Sequence, residues 1–132
     1  MPKASGDRSS GTLAMRLART GILVSALPNL FLLVLFYSLA WHMFRALGGW
    51  PSSIGDHGFP RPLVAHADIT MYYFVGLIWF GMFIWPVAVL LCVVVPRWRE
   101  FIPYLGLYGA LFLSCLALMQ LVPEQFLNWW RD

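Results

Sequence analysis

A chain of 132 residues that is 60% hydrophobic and only 11% charged has too few polar residues to cover a soluble domain, where about 25% of residues are charged. Its formal net charge of +3 comes from basic residues scattered over every segment. That distribution excludes a basic nucleic-acid face. Seven Trp, ten Phe and five Tyr suit a protein that anchors itself at two membrane interfaces.

The first twenty residues, MPKASGDRSSGTLAMRLART, are polar, basic and Gly/Ser-containing. They read as a largely disordered cytoplasmic segment. The first apolar run spans 21–47, and from Gly21 to Trp41 it holds no charge. That meets the requirement of about 20 residues for a spanning helix. It is longer than a signal-peptide core and continues as WHMF beyond Ala40, so a retained anchor is expected. Pro28 predicts a kink early in this span. Residues 48–62, with four Gly and three Pro, form a loop.

The second span covers 63–95, with a further kink expected at Pro86. A short turn, PRWREFIP, makes it an antiparallel hairpin with the third span, 104–122. Pro123 ends that span and opens a short helix over 123–131. Phe126, Trp129 and Trp130 give this helix one apolar face, and it is expected to lie in the interface plane. The fold class is therefore an all-α integral membrane protein with three transmembrane helices and a C-terminal amphipathic helix. Residues 21–132 form its single membrane domain.

Basic residues vote on orientation. Lys3, Arg8, Arg16, Arg19, Arg97 and Arg99 fall on one side, against Arg45, Arg61 and Arg131 on the other. The majority side is expected to be cytoplasmic. This places the N-terminus inside and the C-terminus outside a plasma or inner membrane. Cys92 and Cys115 lie in different apolar runs at depths that differ by roughly 12 Å, from about 1.5 Å per helical residue. Both read as small buried hydrophobes.

Polar side chains gather at the expected outer face: His42, Arg45, Asp56, His57, Arg61, His66 and Asp68. Asp68 is expected to pair with Arg45, and the alternative is a proton or cation relay with His42 and His66. His42 and His66 could also serve as axial ligands of haem b, or flank a quinone, from two neighbouring helices. Against this, interfacial histidines often present only an amphipathic ring to headgroups. No pair at i, i+4 fixes two metal ligands on one helix face, so no metal site is expected. Asn29 is expected to bond a neighbouring helix. Gly106, Ala110 and Ser114, spaced by four, form a small-residue ridge for close helix packing.

No nucleotide-binding, serine-hydrolase or zinc-protease motif is present. The sequence thus favours a non-enzymatic accessory subunit of a larger membrane complex, or a homo-oligomer, surrounded by lipid. A haem- or quinone-bearing anchor subunit and a proton- or ion-handling oligomer using Asp68 are the alternatives.

Overall fold

The computed structural model describes residues 7–51 and 58–132, with side chains from Met15 onward. Helix α1 runs Asp7–Leu47 and α2 runs Arg61–Trp79. A π-helical turn, Phe80–Ile84, joins α2 to α3, Trp85–Val94. A 3-10 segment, Pro96–Phe101, then leads into α4, Ile102–Met119, and α5 is Glu124–Arg131. No strand occurs among the described residues. Three stretches are long and apolar enough to cross a membrane: Met15–Leu47, Arg61–Val94 and Pro96–Met119.

Helix α1 is already formed at Asp7 and passes through residues 7–20 without a break, where the composition had suggested a disordered arm. The run LAMRLARTG offers good helix formers and no proline, so the helix extends backward from the apolar span. At its far end Gly48 adopts φ +69°, the left-handed position that closes a helix and that glycine occupies without steric cost. Pro28 lies inside the continuous helix.

One stripe of α1 faces inward: Ser25, Asn29, Leu32, Phe36, Leu39, Ala40 and Met43 are buried. Steps of three and four keep these residues on one face of a helix with 3.6 residues per turn. Helix α4 lies along this stripe with Tyr108, Cys115 and Met119, and α2 with Leu63, Ala67 and Thr70. The other faces stay apolar and exposed, as with Val34, Trp79, Val94 and Leu113. Both cysteines are free and buried.

In the second span a π-turn precedes Pro86. There the Trp85 N–H reaches Phe80 O, a step of five residues. Proline has no N–H and its ring crowds the preceding turn, and a π-bulge widens the ladder next to it.

Helix α5 packs its apolar face against the bundle. The turn at Gln120–Pro123 folds it back, and Phe126, Leu127 and Trp130 are buried. Phe36 of α1 meets Phe126 and Trp130 edge-on, with ring centres 5.3 and 5.2 Å apart. An apolar helix face fits lipid or protein equally well, and the short turn brings α1 within reach first.

Candidate functional site at the paired ends of the first two helices

His42 and His66 come together. Their Nδ1 atoms are 3.1 Å apart and their ring centres 5.4 Å. His66 Nε2 is 3.1 Å from Ser38 Oγ. That oxygen in turn lies 2.9 Å from Leu35 O. Ser38 and His42 are one helical turn apart on α1, so both reach the same side chain of α2.

Proton counting orders this chain. A serine has one O–H, and a neutral imidazole has one N–H and one lone pair. All three contacts become hydrogen bonds in a single arrangement. Ser38 O–H donates to Leu35 O, His66 Nε2–H donates to Ser38 Oγ, and His42 Nδ1–H donates to His66 Nδ1. The free lone pair is then on His42 Nε2, and His42 is only half-buried. A proton taken up there gives an imidazolium that donates a charge-assisted bond to His66. A second proton would set two N–H groups against each other. The chain ends at a backbone carbonyl, so it can hold a proton but offers no continuous path onward.

As placed, the two rings stand closer together than a pair of axial haem ligands. Two axial imidazoles with metal–nitrogen bonds of about 2.0–2.1 Å stand about 4 Å apart across the iron. Here the nitrogens touch at 3.1 Å.

The other expected residues disperse. Asp68 is exposed and makes no ion pair with Arg45, whose guanidinium lies 5.8 Å from the centre of the Trp41 ring. The reason is angular. Two residues of helix turn the side chain by about 200°, so when His66 faces α1, Asp68 points away from it. Arg61, at the first turn of α2, is exposed. Asp56 and His57 lie outside the described residues. Gly106, Ala110 and Ser114 are exposed, and a Cβ added at Gly106 would meet nothing within 4 Å. No helix of this chain covers that ridge among the described residues. Its hydroxyl turns back on its own helix, Ser114 Oγ to Ala110 O at 2.8 Å.

Toward the other end of the bundle the helices are joined by side chains that donate to backbone carbonyls. Tyr73 O–H bonds Pro28 O at 3.0 Å, and Trp85 Nε1–H bonds Leu105 O at 3.0 Å. Ser25 Oγ is 2.8 Å from Gly21 O and 3.0 Å from Tyr104 O, so its one proton serves α1 or α4. Asn29 donates to its own helix, Nδ2 to Ser25 O at 3.1 Å, and its buried Oδ1 has no partner. The hydroxyl of Tyr108 is likewise buried and unpaired. A cavity of about 730 Å³, lined by Val24, Ser25, Leu77, Trp85, Tyr104 and Tyr108 among others, opens between these helices.

Sequence reasoning had grouped His42 with His66 by depth but missed Ser38. The available signal was the serine one turn before His42. It had not assigned Tyr73 or Trp85 as hydrogen-bond donors. Among family models, curated proteins and solved structures, none matches this chain.

Proposed function

We propose that this chain is a multi-pass integral membrane protein that works as a non-enzymatic subunit of a helical membrane assembly. The observation that carries the reading is the outward-facing ridge Gly106–Ala110–Ser114 on α4. Without a hydrophobic force between helices in lipid, association rests on close backbone approach, and small residues every four positions allow it. The same ridge on a second copy is the simplest occupant, since ridge-to-ridge packing about a two-fold axis supplies small residues on both sides. The six-to-three distribution of basic residues favours an N-terminus in the cytoplasm and a C-terminus outside an inner or plasma membrane.

A photo-crosslinking residue in place of Leu113, which is exposed beside the ridge, tests this in native membranes. The expected product has twice the chain mass of 15.0 kDa and weakens when Ala110→Leu is added. A product of another mass would make the partner a different subunit. Lipid adducts alone would contradict the reading.

A second reading follows from the Nδ1–Nδ1 contact of 3.1 Å between His42 and His66. This pair is a one-proton acceptor at the end of the charge-free part of each span, and it supports a proton-handling role. If so, His66→Gln abolishes any proton-coupled activity of the assembly while leaving the crosslinked product intact. Under this reading Asp68 is an exposed neighbour and not a member of the chain.

A further inference from the structure

We propose that His42 and His66 form a two-histidine binding site for a borderline divalent transition-metal ion of the zinc or copper class. Imidazole nitrogen suits such ions. The argument rests on the geometry of the pair and not on either functional reading above.

The helices already hold the rings at the right separation. With metal–nitrogen bonds of about 2.0–2.1 Å at a tetrahedral angle, two ligating nitrogens stand about 3.3 Å apart, and their ring centres about 5.2 Å. The structure has 3.1 Å between the nitrogens and 5.4 Å between the ring centres. The two nitrogens therefore point head-on at each other, and tilting each ring on its own side chain makes the lone pairs converge.

Ser38 is the second element of the site. It accepts the Nε2–H of His66, which fixes the tautomer so that Nδ1 carries the lone pair. Metal-ligating histidines characteristically donate their other N–H to such a partner. His42 becomes a ligand by moving its proton from Nδ1 to Nε2, at no net proton cost. When the pair carries an extra proton, the ion must displace it, so acid weakens binding. Thr70 Oγ1 bonds His66 O at 2.8 Å and further ties this turn of α2.

No third His, Cys, Asp or Glu joins the pair among the described residues, so water completes the coordination. Both rings are half-buried, which leaves a side open for that water. A site with two protein ligands and open positions is expected to be modest in affinity and exchangeable.

The test uses the full chain in mild detergent with Cu²⁺ as probe. Titration with electron paramagnetic resonance is expected to give one strong site per chain with two-nitrogen coordination. His66→Gln should weaken binding at least tenfold. Ser38→Ala should weaken it about tenfold, as expected for loss of an outer-shell partner, with thermal stability of the metal-free protein nearly unchanged. His57→Gln should leave the signal intact. Loss of the site with His57→Gln, or binding unchanged in both His66→Gln and Ser38→Ala, would overturn the proposal. If His66→Gln fails to fold, Ser38→Ala and His42→Gln carry the same decision.

Discussion

The two ends of this bundle are built differently. Every member of the buried cluster, from Leu32 to Met43 on α1, with Leu63 and Ala67 on α2, Cys115, Met119 and Val122 around the end of α4, and Phe126 and Trp130 on α5, belongs to the end nearer the 48–60 loop. Toward the other end the helices part around a cavity of about 730 Å³ and are tied by hydrogen bonds from Ser25, Tyr73 and Trp85 to carbonyls. The difference traces to α5. It folds back only at the loop end and fills the space between the helices there with Phe126 and Trp130. The loop end therefore has a packed core besides its own bonds, among them Tyr37 O–H to Leu118 O at 2.6 Å and the His42–His66–Ser38 chain, and the other end rests on a few directional bonds. In lipid those bonds are each worth about 0.6–2 kcal/mol.

The largest effect should come from removing the wedge. Phe126→Ala should destabilise by about 3–5 kcal/mol, the range for emptying a buried aromatic site, as read by thermal unfolding in detergent. It should also release α5 to protease. A cost below about 1 kcal/mol would erase the contrast between the two ends, since surface-like positions behave that way. Gly21→Ala comes next. A Cβ there would lie 2.7 Å from the Tyr104 ring, so α1 and α4 must part or the ring must turn. An overpacking cost of about 1–3 kcal/mol is expected. Trp85→Phe keeps an aromatic side chain but removes the bond to Leu105 O, for about 0.5–1.5 kcal/mol, together with the packing of the lost part of the indole on Gly109. The smallest effect belongs to Tyr108→Phe. Its hydroxyl is buried without a partner, so deleting it should be neutral or stabilising. A clear loss would show that this hydroxyl does have a partner at the cavity.

Three apolar runs of sufficient length made the helical architecture legible from sequence, and the turn at Pro96–Phe101 made the hairpin legible. What did not show was which of two apolar environments a face would meet. Phe126, Trp129 and Trp130 suit an interface and a core alike, and the sequence does not show that Phe126 and Trp130 pack on Phe36. The Arg45–Asp68 pair failed because depth was reasoned without angle. Both residues lie near one level, yet Asp68 is turned about 200° from His66 along α2. The histidine pair was half legible, since depth brought His42 and His66 together. Depth alone did not bring in Ser38, which sits one turn before His42 and meets His66 Nε2 at 3.1 Å. The continuous second span hid a π-turn, because nothing in FGMFI distinguishes it until Pro86 is considered.

The central claim is that this chain crosses a membrane three times. An odd number of crossings places the termini on opposite faces. In a variant with Cys92 and Cys115 replaced by alanine, Asn128→Cys should react with an impermeant thiol reagent added to intact cells. Ser5→Cys should react only after permeabilisation. Labelling of both positions from the same side would contradict the account.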